Sequence, residues 1–201
     1  GYTSLADFYN SFEDNDIRKT GGGRGYGVFL AGPQFDRNGK RLRDGADAWY
    51  PNGDTDGRDV NFNPVINELA PSAGRDAGAR LSKYEYEVGG TPEMSNDFVL
   101  FRYGEILLNK AEAMWRKSAG SAPALELVNM IRTRAGVAPF ATLTADNLLA
   151  ERGRELCFEM KRRTDLIRFG RYDDAWWEKP VSEAYKTLMP IPEAQIVLNP
   201  N

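Results

Sequence analysis

LLAERGRELCFEMKRRTDLIRFGR, Leu148–Arg171, is the stretch on which the reading of this chain turns. Arg152, Glu155, Glu159, Arg163, Asp165 and Arg168 are threaded through Leu148, Leu149, Leu156, Phe158, Leu166, Ile167 and Phe169. A helical run built this way turns charged and apolar groups toward one interior and has to bury ion pairs. Spacing pairs Glu151 with Arg154 and Glu159 with Arg163, while Glu155 and Glu159 repel at i,i+4. Further arginines are therefore expected from elsewhere in the chain. Thr144 is placed as the N-cap, with Leu143 and Leu148 positioned as a hydrophobic staple. Gly153, in mid-helix at a cost of about 1 kcal/mol relative to alanine, points to close approach of another backbone or to a tolerated weak spot.

Upstream, Leu100, Tyr103, Leu107, Ala111 and Met114 recur at three- and four-residue intervals and predict a helix that Gly120 ends at its C′ position. Ser121 caps a second helix, with Ala124, Val128, Ile131 and Ala135 as its stripe and Gly136 as its stop. The resulting αα-hairpin, Phe98 to Ala135, is close to the ~34-residue length of a tetratricopeptide-type pair. Downstream, Pro190-Ile191-Pro192 sets an extended entry, and Pro192 with Glu193 opens a short terminal helix. Residues 1–95 are rich in Gly, Asp, Asn and Tyr, with little helical periodicity. There, Gly25–Phe35 and Lys40–Arg43 flank Asp36-Arg37-Asn38-Gly39 as a hairpin, whose Asn-Gly supplies positive φ angles. Asp44–Asn63 reads as a long surface loop.

The 201 residues, 41% hydrophobic and 27% charged, suit one globular domain over 1–201, with a loop- and hairpin-rich part at 1–95 and a helical part at 96–201. A net charge of −3 leaves no basic footprint, so nucleic acid is set aside as a partner. Apolar runs of about four residues are far short of the roughly 18 needed to cross a bilayer. The lone Cys157 excludes a disulfide framework and reads as a buried thiol rather than a nucleophile. No histidine is present, which removes Ser-His and Cys-His catalysis and His-ligated zinc. The opening at Gly1, without a signal peptide or lipid-attachment cysteine, reads like a processed piece or fragment.

Three blocks in order resemble the C-terminal half of the SusD/RagB family, outer-membrane glycan-binding lipoproteins of Bacteroidetes-type bacteria. FRYGEILLNKAEAMWR at Phe101–Arg116, followed by VNMIRTRAGV at Val128–Val137, is similar to the family's R-Y-A-E helix and its N-x-I-R-x-R-A-G segment. ERGRELCFEMKRRTDLIRFG at Glu151–Gly170 and LMPIPEAQIVLNPN at Leu188–Asn201 resemble its E-R-x-x-E-L-x-F-E run and its P-I-P ending. A shorter echo, SFEDNDIRK at Ser11–Lys19, is like S-F-x-x-x-D-x-R. Gly104 and Gly153 stand where larger residues are usual, Phe169 replaces the common Trp, and the tail after Asn-Pro is missing. The resemblance implies a mainly α fold, a SusD-like, tetratricopeptide-type helical scaffold with β-hairpins and long loops. It also implies about twice this length, with most helical pairs in an N-terminal half. A lipid-anchored, surface-exposed outer-membrane location follows from it, through an N-terminal anchor not in this chain. So does pairing with a SusC-like TonB-dependent transporter, with no cofactor.

Glycan capture without chemistry is the function expected. Glycoside hydrolysis needs two facing carboxylates, one with a raised pKa, whereas arginines interleaved with Glu155 and Glu159 would lower theirs. Trp49 and Tyr50, with Asp44 and Asp47 just before them, combine flat aromatic faces for sugar C–H groups with hydroxyl acceptors. The same pair could equally plug the loop onto the body. Tyr26, Tyr84 and Tyr86 are further aromatic candidates, of which Tyr26 joins Trp49, Tyr50 and Asp47 as the glycan-binding set. Trp176 and Trp177 read as packing residues. Asn52, Asp54, Asp56 and Gly57 open like a calcium loop, but Asn63 stands where its closing Glu belongs, so a turn-rich loop is expected and no metal. Two other functions stay open: a protein–protein module of the transporter complex, and a binder of peptides or glycoproteins.

Overall fold

Two side-chain caps organise the helical part. Ser121 accepts the Ala124 N–H, and Thr144 accepts the Asn147 N–H while the Asn147 side chain returns to the Thr144 N–H, completing a capping box. The computed structural model describes residues 2–22, 27–43, 59–65, 74, 76–84, 89, 91 and 93–199. Its main helices are α3 (Tyr103–Lys117), α4 (Ala122–Arg134), α5 (Ala145–Glu155) and α6 (Arg162–Arg168). They follow the short α1 (Ala6–Asn10) and α2 (Ile17–Thr20), and precede a 3₁₀ turn at Ala184–Thr187 and α7 (Glu193–Leu198).

The α4 stripe is buried as expected, at Ala124, Val128, Ile131 and Ala135, and Gly136 stops the helix with φ +76°. In α3 the buried face is Leu107, Leu108 and Ala111, whereas Leu100 and Tyr103 are exposed. Gly120 does not end α3 in the left-handed region; the helix stops at Lys117, where Ser118 turns extended at φ −154°. Leu143, Leu148 and Leu156 close the same core, and Trp115 stacks on Phe169 while its Nε1 donates to the Leu143 carbonyl at 3.0 Å. Phe169 thus supplies the aromatic face that this core requires.

The Leu148–Arg171 run is not one helix. α5 ends at Glu155, and Phe158 (φ 64°) and Met160 (φ 60°) turn the chain before α6 begins. Positive φ at these non-glycine residues is held in place by the contacts of the intervening Glu159. Because of that corner, Glu159 does not pair with Arg163. Arg163 lies over the Tyr172 ring and donates to the Thr187 carbonyl at 3.0 Å.

The strands are short. β1 (Thr3–Ser4), β5 (Ala79–Leu81) and β2 (Phe29–Leu30) form an antiparallel sheet in the order β1-β5-β2, in register Thr3↔Arg80 and Phe29↔Leu81. β3 (Gly32–Pro33) pairs with β4 (Asn61–Phe62). The hairpin expected at Asp36–Gly39 is present, with Phe35 bridged to Arg41. Its turn works differently from a paired Asn-Gly: only Gly39 has positive φ, and the Asp36 carboxylate accepts the Asn38 and Lys40 N–H groups at 2.8 and 2.9 Å. Phe8, Tyr9, Phe12 and Phe29 pack edge to face as a second, aromatic core, with ring centroids 5.3–6.0 Å apart.

Candidate functional site

The buried carboxylates lie in a file along α5 and into α6, each clamped by cations. Glu151, fully buried, accepts from Arg18 (2.7 Å), Arg154 (2.7 Å) and Arg132 (3.0 Å). Glu155 accepts from Arg102 (2.6 Å), Arg134 (2.7 Å) and Arg18 (3.0 Å). Glu159 takes Arg102 (2.8 Å) and the Lys83 ammonium. Arg152 holds Asp165 at 2.9 Å, and Arg168 bridges Asp165 and Glu112 at 2.7 and 2.8 Å. The Glu151–Arg154 pair is the one that spacing foretold. Arg18, Arg102, Arg132 and Arg134 are the arginines expected from elsewhere, and Arg102 spans the Glu155–Glu159 repulsion.

Burial alone would disfavour charge on Glu151 and Glu155. Arg18 and Arg154 overcome it at Glu151, and Arg102 and Arg134 at Glu155, so both carboxyls are held below the ordinary range. Glu112 is held low against burial by Arg168 and Arg116. A glycosidic general acid needs the opposite shift. The file therefore acts as an ionic frame that fastens α5 to α3, α4 and the N-terminal segment. Cys157, pushed up to about 11 by burial, is a thiol and not a thiolate, and its carbonyl accepts from Lys83 at 2.9 Å.

Both glycines that depart from the resembled pattern make room in this frame. A Cβ on Gly104 would lie 2.6 Å from Arg102 Nη1 and 2.8 Å from Glu155 Oε1. One on Gly153 would lie 2.9 Å from Arg162 Nη1, the donor to the Leu149 carbonyl. What approaches Gly153 is a guanidinium and not a backbone. The short Ser11–Lys19 motif docks the N-terminal part onto the frame. The Ser11 carbonyl accepts from Arg154, Phe12 is buried, Asp16 binds Arg18 at 2.7 Å, and Arg18 reaches Glu151 and Glu155.

The glycan-binding set, Trp49, Tyr50, Asp47 and Tyr26, lies outside the described residues, as do Tyr86 and Asn52 to Gly57. The segments that carry the set have described ends. Arg43 and Asp59 are bridged, Asp59 is 3.5 Å from Arg41 and 3.8 Å from Arg43, and Val60 donates to the Leu42 carbonyl at 2.9 Å, so Arg43 and Asp59 lie side by side. On the C-terminal side of residues 23–26, Val28 donates to the Arg18 carbonyl at 2.7 Å. Gly27 sits so close to that carbonyl that no side chain fits. Asn63 spends its side-chain oxygen on the Val65 N–H at 3.2 Å. Among the described residues no group of three or more His, Cys, Asp or Glu could hold a metal ion. Tyr84 lies 5.8 Å from Phe98, ring centre to ring centre.

Trp176 and Trp177 depart from expectation. They are 48% and 47% exposed on a tight turn closed by the Trp176–Lys179 bridge, with the Lys179 ammonium 4.4 Å above the Trp176 ring. Sequence reading missed this exposure because a paired aromatic next to charged residues has no periodicity to assign its side.

A SusD-like protein P2 of Formosa agariphila is 32% identical over 127 residues, 54% of this chain and 25% of that protein. The starch-binding protein SusD of Bacteroides thetaiotaomicron is 38% identical over 77 residues, 38% of this chain and 13% of that protein. The crystal structure of a SusD-like protein from Bacteroides fragilis, 19% identical, superposes with a TM-score of 0.60 over 100% of this chain and 46% of its own. The chain thus spans a quarter or less of these two curated relatives and just under half of that solved fold. The sequence model of the SusD family, SusD_RagB, matches residues 2–184, and the chain belongs to that family.

Proposed function

We propose that this protein captures oligosaccharides or polysaccharides at the cell surface without altering them and delivers them to a SusC-like TonB-dependent transporter in the outer membrane. The family match carries this reading, together with a relative named for starch binding. The ionic frame supports binding over hydrolysis, because Glu151 and Glu155 are committed to arginines and held below the ordinary carboxylate range. Among the described residues no helix is long and apolar enough to cross a membrane, which suits attachment by a lipid anchor in a longer polypeptide. Residues 44–58, between Arg43 and Asp59, are the proposed carrier of the platform. Trp49 and Tyr50 would stack on sugar faces, Asp47 would accept hydroxyl hydrogen bonds, and Tyr26 would flank them.

The test is calorimetry of the complete encoded polypeptide against plant, host and microbial glycans, with reducing-sugar release followed in parallel. Binding without release is expected, and Trp49→Ala/Tyr50→Ala should weaken it at least tenfold, the loss of about 1.4 kcal/mol. Release of reducing ends would replace this reading with catalysis. Silence toward all glycans would favour a protein–protein module or a peptide and glycoprotein binder.

A further inference from the structure

The turn that carries Trp176 and Trp177 is rigid and strained. Trp176 and Lys179 exchange both backbone hydrogen bonds at 3.0 Å, and Glu178 takes φ 54°, a left-handed angle unfavourable to a residue with a side chain. Lys179 braces the shape. Its ammonium donates to the carbonyls of Asp174 at 2.8 Å and Pro180 at 3.3 Å, and lies 4.4 Å from the centre of the Trp176 ring. The base is closed as well, since the Asp173 carbonyl accepts the Ser182 N–H at 2.9 Å. All of these contacts leave the two indoles half exposed.

Packing within this chain does not account for the pair. Trp115 is drawn onto Phe169 and the helical core, whereas Trp176 and Trp177 join neither hydrophobic cluster among the described residues. Strain held in a surface turn points to the side chains that the turn presents. An indole face takes the C–H face of a pyranose ring, and a braced turn binds without first having to be ordered. The charges beside the indoles narrow the ligand. Arg171 and Asp174, 2.6 Å apart and both half exposed, offer hydroxyl groups a donor and an acceptor side by side. Asp173, Asp174 and Glu178 outnumber Arg171 and Lys179, and both cations are already committed. A carboxylated or sulfated sugar would meet that negative excess, and an uncharged one would not.

We propose that the Trp176–Trp177 turn is a sugar-stacking site for neutral oligosaccharides, distinct in the chain from residues 44–58. It rests on the glycan-capture reading for the kind of ligand, and on the turn's own geometry for the place. Trp177 and the face of Trp176 away from Lys179 carry the sugar rings, and the Arg171–Asp174 pair holds their hydroxyls. With two sites on one polypeptide, a long glycan that reaches both is held more tightly than a short oligomer that fills one.

Hydroxyl-radical footprinting of the complete encoded polypeptide tests the proposal, with malto-, cello-, xylo- and chito-oligosaccharides as neutral probes and oligogalacturonate as the acidic one. Trp176 and Trp177 should oxidise readily in the free protein and several-fold more slowly with a neutral probe, while oligogalacturonate gives no protection. Trp176→Ala/Trp177→Ala should barely move the thermal midpoint, and in a Trp49→Ala/Tyr50→Ala background should weaken the remaining binding about tenfold in calorimetry. Neutral probes that bind without protecting Trp176 or Trp177 would overturn the proposal and leave the capture reading standing. Indoles already shielded in the free protein, or a midpoint lowered by several degrees in the variant, would overturn it by making the pair a packing contact. Protection by oligogalacturonate alone would overturn the choice of a neutral ligand, and a protein that binds no glycan would overturn both readings together.

Discussion

Gly153 shows how one residue couples to the chemistry around it. Alanine there gains about 1 kcal/mol of helix propensity, but its Cβ would push Arg162 off the Leu149 carbonyl, a hydrogen bond worth about 1 kcal/mol. Gly153→Ala is therefore expected to be close to neutral alone and to stabilise by about 1 kcal/mol in an Arg162→Ala background. A double-mutant cycle in urea reads that coupling directly. Arg152 is the counter-case. It is 2% exposed and shares Asp165 with the part-exposed Arg168, so Arg152→Met should cost about 3 kcal/mol by thinning the positive charge around a buried carboxylate that Arg168 still holds, and adding Asp165→Leu should recover part of the loss. Were the single and double variants equally unstable, the penalty would lie in packing and not in charge.

At the scale of elements, α5 is set by its N-terminus and its buried face. The capping box at Thr144 places Leu148 in the core at 0% exposure. Thr144→Ala should cost about 1 kcal/mol, and Leu148→Ala about 2–5 kcal/mol through the cavity it leaves, both as shifts of the urea midpoint at constant m-value. The helix that periodicity extended to Arg171 breaks at residues 156–160 because Glu159 is drawn to Arg102 and Lys83, on segments far away in sequence. Local spacing favours Glu159–Arg163, and the tertiary ion pairs win because they are buried and multiple.

For the whole molecule, the frame ties stability to pH. Glu112, Glu151 and Glu155 have carboxyls held below their ordinary value of 4.5, so the folded state binds fewer protons than the unfolded chain. Their contribution is fully present above that value and is lost as pH falls through their lower folded values. Unfolding free energy measured by urea titration should therefore be flat from pH 7 to about 5 and fall steeply below about 4. A profile without that fall would mean that the carboxylates are as well stabilised in the unfolded chain.

Much was legible in the sequence because it is written locally. Ser121, Thr144 and Gly136 act on backbone groups within a few residues, and the Ala124–Ala135 stripe needs only a 3.6-residue period. Order and spacing of the motif blocks likewise carried the family, and the need for outside arginines followed from Glu155 standing beside Glu159 on one face. The tertiary structure alone decided which arginines answered that need, that Arg18 brings the N-terminal segment onto α5, and that Gly104 and Gly153 are spaces for guanidinium groups. It also turned Tyr103, Trp176 and the Leu188–Leu198 segment outward. Periodicity tells that a side chain is apolar and on one face, but which surface that face meets depends on residues distant in sequence, and only packing brings those together.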